Sequence, residues 1–265
     1  MDLRGKTALV TGASSGIGAA TARELARAGC RVILLARRQV ELDRVAASLG
    51  ARAAAVHALD LTDADAVTRV ARRITSDLGT PDVVVNNAGA GQWKFVEETS
   101  PAEAVQMMAA PYFAGFFVTQ AFLPGMLARN SGHIVNVSSV ASRFVWPGAT
   151  AYTAARWAVR GFSEALRADL ARTGIGVTLF ESGVVTTEYW TSNPGSRERV
   201  PRVARFIPDV TPEEAARAIV RGVERNRKLV VVPLMMRMTY LQHALFPGIV
   251  QWLMTRTGYR RPLSA

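Results

Sequence analysis

Cysteine is nearly absent from this 265-residue chain: Cys30 stands alone, which excludes an intramolecular disulfide and any multi-cysteine metal site. The three histidines, His57, His133 and His243, are scattered without metal-ligand spacing, so no metal is expected. No stretch of about 18 apolar residues runs free of charge, and a membrane-spanning helix is therefore not expected. The opening residues, MDLRGKTALVTG, hold no long apolar segment, and a cytoplasmic location is the expectation. Repeats, low-complexity tracts and Gly/Ser linkers are also missing, so one domain over residues 1–265 is expected. Lysine is scarce: Lys6, Lys94 and Lys228 are the only lysines among 32 basic residues, which makes arginine the default cation of the chain.

What remains is an ordinary globular composition, 49% hydrophobic and 20% charged, with enough apolar residues for a sizeable core. The net charge of +11 is uneven. From Asn193 onward 13 basic residues face 5 acidic ones, a net +8, which leaves +3 for residues 1–192. Charge alone would suggest nucleic acid, but no nucleic-acid motif accompanies it, and no such partner is expected. Short β-branched runs alternate with longer helical stretches, the pattern of stacked strand-helix-strand units. The runs at Thr7–Val10, Arg31–Ala36, Ala53–Ala58, Val83–Asn86, His133–Ser138, Gly176–Phe180 and Leu229–Val232 predict seven strands. Amphipathic segments at Ala19–Ala28, Asp63–Asp77, Pro101–Arg129, Tyr152–Ala171 and Pro212–Arg225 predict helices, with Asp63 as one N-cap and Thr211 before Pro212 as another. The expected fold class is α/β: a Rossmann-like doubly wound, seven-stranded parallel sheet with helices on both faces and a helical C-terminal extension.

The first strand runs into Thr11-Gly12-Ala13-Ser14-Ser15-Gly16-Ile17-Gly18 and then a helix. Glycines there let the turn tighten and the backbone approach a pyrophosphate, and the helix N-terminus aims free N–H groups at the anion. The spacing Gly-x3-Gly-x-Gly resembles the cofactor loop of the short-chain dehydrogenase/reductase family, and further segments carry the same resemblance. Asp60-Leu61 looks like the family's adenine-contacting pair, and Asn86-Asn87-Ala88-Gly89 is similar to the signature that lines the cofactor cleft. Ser182-Gly183-Val184-Val185-Thr186-Thr187 is similar to the Pro-Gly-x-Val-x-Thr stretch that holds the nicotinamide carboxamide. The resemblance implies a nicotinamide dinucleotide held by Gly12, Ser14, Ser15, Gly16, Ile17, Gly18, Asp60, Leu61, Asn87, Ala88, Gly89, Val185 and Thr187. At the end of the second strand an acid would accept from a ribose 2′-hydroxyl and repel a 2′-phosphate. Ala36 stands there instead, followed by Arg37 and Arg38, so NADP(H) is expected over NAD(H).

Tyr152 and Arg156 are four residues apart and share one helix face. A phenol beside a fixed cation is an acid/base couple, because a neighbouring positive charge favours the phenolate. Ser139 precedes Tyr152 by 13 residues, as the catalytic serine does in the family it resembles. The resemblance implies Tyr152 as proton donor or acceptor, Ser139 orienting the substrate oxygen, and Arg156 where the family carries a lysine that binds the nicotinamide ribose. Arginine keeps the charge but is bulkier and cannot release a proton. Eight residues before Thr119, where the family has an asparagine that holds a water in the proton path, this chain has Pro111, which lacks an N–H and distorts a helix. Ser182 also replaces the usual proline before Gly183. Three readings fit these departures: a reductase with a modified relay, an NADP(H)-binding protein without turnover acting as sensor or oligomer partner, or altered chemistry on the same scaffold.

Residues 188–211 occupy the place of the family's variable substrate lid. Tyr189, Trp190 and Phe206, with Trp93, Phe95, Phe144, Val145 and Trp146 from nearby loops, predict an aromatic entrance and a small hydrophobic ketone, aldehyde or alcohol as substrate. The extension over residues 233–265 is apolar, broken at Pro247-Gly248 and flanked by arginines. It reads either as a cover for the substrate pocket or a subunit, or as a pair of helices for peripheral contact with a membrane surface. Assembly as a homodimer or homotetramer through the two long helices is what the family resemblance implies.

Overall fold

Each β-branched run forms a strand: Thr7–Thr11 (β1), Arg31–Ala36 (β2), Ala53–Ala58 (β3), Val83–Asn86 (β4), Gly132–Val137 (β5), Ile175–Ser182 (β6) and Leu229–Val232 (β7). The computed structural model describes residues 1–89 and 91–261, so the last four residues of the expected C-terminal extension lie outside the described residues. All seven strands pair in parallel, in the order β3-β2-β1-β4-β5-β6-β7. Leu9 faces Ile33 across one ladder and Val84 across the other. Such central strands are apolar at successive positions because helices cover both faces of the sheet.

Gly16–Arg27 (α1), Gln39–Leu49 (α2) and Pro212–Glu224 (α8) pack on one face, where Ala22, Leu25, Leu42, Ile219 and Val223 meet the β1 and β2 side chains. Ala64–Leu78 (α3), Ala114–Ala128 (α5) and Thr150–Asp169 (α6) cover the other through Ile74, Val118, Phe122 and Leu166. Pro101–Met108 (α4) leads into α5, the short Tyr189–Ser192 (α7) lies in the expected lid, and Met235–Leu245 (α9) and Pro247–Thr257 (α10) form the extension. Asp63 caps α3 by accepting from Asp65 N and Ala66 N, and Thr211 and Glu214 form a reciprocal cap on α8 with Pro212 at its first position.

Several boundaries differ from the sequence expectation for local reasons. α1 starts at Gly16 rather than Ala19, since the glycine-rich turn is already its first turn. α2 was not among the expected helices, although Leu42, Val45 and Leu49 give it one buried stripe. β6 continues past Phe180 through two polar residues, because Glu181 and Ser182 pair with Val231 and Val232. The long helix expected from Pro101 to Arg129 widens into a π-helical turn over Ala109–Phe113. Buried Pro111 lies inside that turn, where a wider backbone tolerates its missing N–H and its ring.

The strand order reverses between β1 and β4, so the connections that leave their carboxyl ends diverge and open a cleft. Thr11 and Asn87 tie the two ends together. Thr11 Oγ1 accepts from Asn87 N at 2.9 Å and Ala88 N at 3.0 Å, while Asn87 Nδ2 donates back to Thr11 O at 3.0 Å. Below Asn87, Asn86 Nδ2 donates to Thr119 Oγ1 on α5 and to Asn136 Oδ1 on β5, both at 2.9 Å.

Thr11→Val leaves two backbone N–H groups without their acceptor and lowers stability by about 2–3 kcal/mol in urea titration. A second expectation concerns pH. His133 is 2% exposed, and burial holds its imidazole down at about 4, against 6.5 for a free histidine. Thr178 Oγ1 gives its proton to Arg227 O at 2.6 Å and lies 2.8 Å from His133 Nε2, so the neutral Nε2–H tautomer donates to it. The unfolded chain therefore binds a proton more readily than the native one. Stability present above pH 6.5 falls by up to about 3 kcal/mol as pH drops to 4. Denaturation measured across that window shows this slope, and His133→Gln flattens it.

Candidate active site

The carboxyl ends of the strands open into a cavity of about 870 Å³. Gly12, Ser14, Ser15, Gly16, Ile17, Arg37, Arg38, Asp60, Leu61, Asn87, Ala88, Gly89, Ser139, Tyr152, Arg156, Val185 and Thr187 all line it, so the connections after six strands, together with α6, converge on one cavity. Gly18 is the expected residue that does not. A Cβ there would lie 2.2 Å from Gly12 O and 2.5 Å from Asn87 Nδ2, so Gly18 lets α1 close against the turn instead of facing the cavity.

Backbone geometry makes that turn suitable for a dinucleotide phosphate. Gly12 (φ +62°) and Gly16 (φ +53°) sit in the left-handed region, and a Cβ on Gly12 would come within 2.9 Å of Ala88 Cα. α1 begins at Gly16, where a helix's first N–H groups lack intrahelical partners. Arg38, at the N-cap of α2, reaches across to donate to Ser15 Oγ at 2.8 Å and Ser14 Oγ at 3.3 Å. Of the two expected arginines, both of which line the cavity, Arg38 is the one that stands over the turn. Arg37 lies nearer Asp60, whose carboxyl is held below its ordinary value by hydrogen bonds from Thr62 and by that guanidinium. A cofactor with an adenine and a pyrophosphate fits these groups.

Deeper in the cleft, α6 delivers Tyr152 and Arg156 while the end of β5 delivers Ser138 and Ser139. Both serines line the cavity: Ser138 Oγ donates to Arg156 O at 3.3 Å and ties α6 to the sheet, while Ser139 Oγ accepts from Ala141 N at 3.3 Å and donates to Ser182 O at 3.5 Å. Arg156 is 8% exposed, with its guanidinium carbon 4.9 Å from the Tyr152 ring centroid. No carboxylate lies within ion-pair distance of it among the described residues. Among the described residues its one acceptor is Val137 O at 3.5 Å, and its Nε is buried without a partner there. Room for the guanidinium comes from Gly89, where a Cβ would lie 3.2 Å from Nη2. Pro111 is absent from the cavity wall, which is lined there by Gln106, Ala109, Ala110 and Ala114.

Two tyrosines meet at this point and differ in freedom. The Tyr189 hydroxyl donates to Gly91 O at 2.7 Å and accepts from Trp93 Nε1 at 3.0 Å; burial, with Tyr152 beside it, pushes its ionisation well above that of an ordinary phenol. Tyr152 makes no hydroxyl hydrogen bond among the described residues and faces the cavity. Gly91 lets both rings approach, since a Cβ there would be 2.6 Å from Tyr152 Cδ2.

Beyond Tyr152 the wall turns apolar. Trp93 is the centre of an aromatic group, with ring centroids 5.0 Å from Trp146, 5.2 Å from Tyr152 and 5.6 Å from Trp190. Phe144 and Tyr189 join the lining as expected, but Phe206, Phe95 and Val145 do not. Phe206 points to solvent at 83% exposure, Phe95 packs against Tyr259, and Val145 is on the surface. In their place the extension supplies Met236, Val250, Leu253 and Met254, so α9 and α10 close the pocket.

A buried carboxylate that sequence reasoning missed anchors this cover. Glu181, fully buried on β6, accepts from Arg143 Nε at 2.9 Å, from Tyr240 of α9 at 3.0 Å and from the Ser142 hydroxyl. Arg143 also lies over the Tyr240 ring at 4.7 Å. The loop after Ser139 and helix α9 are thus fastened to one carboxylate. Its signal in the sequence was an acid within an apolar strand run, Thr178-Leu179-Phe180-Glu181.

A family model for short chain dehydrogenases matches residues 6–197. The chain is similar to a dehydrogenase/reductase SDR family protein 7-like of Anopheles gambiae, with 33% identity over 96% of this chain and 83% of the relative. It is also similar to a fatty acyl-CoA reductase of Acinetobacter baylyi, with 31% identity over 96% of this chain and 84% of the relative. Among solved structures, the closed form of a serine dehydrogenase complexed with NADP+ superposes with a TM-score of 0.77 and 29% identity, covering 85% of this chain and 94% of that one.

Arg143→Met strands the Glu181 carboxylate in the interior and costs about 3–5 kcal/mol. Tyr240→Phe removes one of its three donors and costs about 1 kcal/mol. Urea midpoints give the two values, and faster tryptic cleavage at Arg237 in Tyr240→Phe reports the loosened α9.

Proposed function

Because this chain belongs to the short-chain dehydrogenase family, we propose that it is an NADP(H)-dependent oxidoreductase moving hydride between the nicotinamide and a hydrophobic ketone, aldehyde or secondary alcohol. The observation that carries the reading is Arg156: a buried guanidinium that, among the described residues, has no carboxylate and an unpaired Nε, between Tyr152 and Gly89 on the cavity wall. A buried charge left unpaired is costly, so a site that keeps one is built for a ligand that completes it. The ribose hydroxyls of a nicotinamide cofactor supply acceptors of the right kind. At the other end, Arg38 beside Ser14 and Ser15, with no acid at the end of β2, supports a 2′-phosphate and hence NADP(H).

When bound, the cofactor supplies or takes up the hydride. Tyr152 hands a proton to the substrate oxygen in reduction and removes it in oxidation, and the Ser139 hydroxyl donates a hydrogen bond to that same oxygen. Arg156 keeps a permanent positive charge beside the phenol without itself giving up a proton. Tyr189, its hydroxyl committed to Gly91, takes the positioning role and leaves the acid/base role to Tyr152. The apolar lining from Trp93 to Met254 supports a hydrophobic substrate over a sugar, and the similarity to a fatty acyl-CoA reductase points the same way. Phe113, Phe116 and Trp157, exposed on the long helical layer, support assembly as a homodimer or homotetramer.

Anaerobic mixing with NADPH and a panel of medium-chain aldehydes and ketones is expected to oxidise the cofactor. Tyr152→Phe lowers kcat by about 10²–10⁴-fold while leaving NADPH affinity within a few-fold. Arg38→Ala weakens NADPH binding by about 10- to 100-fold and NADH binding little, as loss of charge-assisted bonds to a phosphate requires. NADPH binding without oxidation across the panel would instead establish a cofactor-binding protein without turnover.

A further inference from the structure

The cover formed by α9 and α10 has two apolar sides. Met236, Val250, Leu253 and Met254 face the cavity. On the other side Leu234, Met238, Leu241 and Leu245 follow one helical stripe of α9, and Ile249 and Trp252 one stripe of α10, all 62–72% exposed. An apolar surface this continuous on a soluble chain marks a contact site. Arg237 lies on the first stripe and Arg256 on the second, both exposed and without an ion pair among the described residues. Between Arg225 and Arg261 the chain holds seven basic residues and no Asp or Glu.

We propose that this outer face of the α9–α10 hairpin seats on the surface of an anionic lipid bilayer, and that the apolar substrate enters the cavity from that bilayer past the hairpin. Apolar stripes interrupted by arginines, with no Asp or Glu in the hairpin, match an interface where side chains enter the acyl boundary and cations meet phosphate headgroups. A second copy of this chain matches it less well. A two-fold contact sets each patch against itself, so Arg237 and Arg256 would meet their own kind with no acid in the hairpin to receive them. No helix among the described residues is long and apolar enough to cross a membrane, so the contact is peripheral. The route for the substrate rests on the reading of the cavity as an oxidoreductase site; the docking surface itself does not.

The test uses the full chain and vesicles of phosphatidylglycerol and phosphatidylcholine, compared with phosphatidylcholine alone. Flotation with the anionic vesicles is expected to exceed that with neutral ones at least tenfold, and dibrominated acyl chains are expected to quench tryptophan emission in the wild type but not in Trp252→Phe. The triple variant L241Q/L245Q/W252Q is expected to lose at least tenfold in vesicle binding while its NADPH affinity stays unchanged, which separates a lost docking face from a misfolded protein. Absence of flotation, or equal binding to both vesicles, overturns the proposal. So does a wild-type dimer in sedimentation that the triple variant dissociates without effect on vesicles. Vesicle binding together with a failure to oxidise NADPH leaves the docking face standing and removes the oxidoreductase reading instead.

Discussion

The site depends on how closely the ends of β1 and β4 can approach where the strand order reverses. Thr11 and Asn87 exchange hydrogen bonds across that gap, and Gly12 and Gly18 have no side chains that would hold it open. Everything lining the cofactor side of the cleft is positioned from there. The turn at Gly12–Gly16 feeds α1, Asn87-Ala88-Gly89 forms the opposite wall, and Gly89 leaves the space that the Arg156 guanidinium fills. The departure at position 156 is thus accommodated by packing already present, since a lysine's slimmer chain would need less of the room that Gly89 provides.

The sheet was legible because a parallel strand covered on both faces must be apolar at almost every position, and runs such as Val83-Val84-Val85 have few other uses. Strand ends were less so: the β6 residues Glu181 and Ser182 look like loop until the β7 partner and the buried Arg143 are in place. Most of the residues that the motifs single out line the cavity, since short motifs fix backbone geometry as well as chemistry. Gly18 shows the limit of that reading, because its spacing in the motif does not distinguish lining a cleft from packing beneath it. The same holds for Arg37 and Arg38, adjacent in sequence but separated by the N-cap turn of α2. Aromatic residues were the least legible. Trp93 and Phe95 are two apart, yet one lines the pocket and the other packs on Tyr259, a difference set by chain direction in an irregular segment.

Pro111 and Arg156 looked in the sequence like two losses from one proton path. In the structure they have different consequences. Pro111 is absorbed by a π-helical turn and stays off the cavity wall, so its effect is confined to what no longer reaches the cleft from that helix. Arg156 keeps its charge against the Tyr152 ring and leaves donors unsatisfied. The two positions are therefore separable: Pro111 acts on the course of the helix, and Arg156 places a charge beside the Tyr152 ring.

The hairpin of α9 and α10 connects that chemistry to its surroundings. Glu181 holds α9 through Tyr240 and holds the loop after Ser139 through Ser142 and Arg143, so the cover and the loop that presents Ser139 share one anchor. A carboxylate with three donors is a stiff joint, because losing any one of them leaves charge in a dry interior. The free edge of this cover, around Phe246 and Pro247 between the helices, is exposed, whereas α9 is fastened to β6 through Tyr240. That edge is also where the exposed stripes of the two helices meet. In the proposed docking, entry of substrate and contact of the outer face therefore share one region, and what seats on the hairpin lies beside the mouth of the pocket.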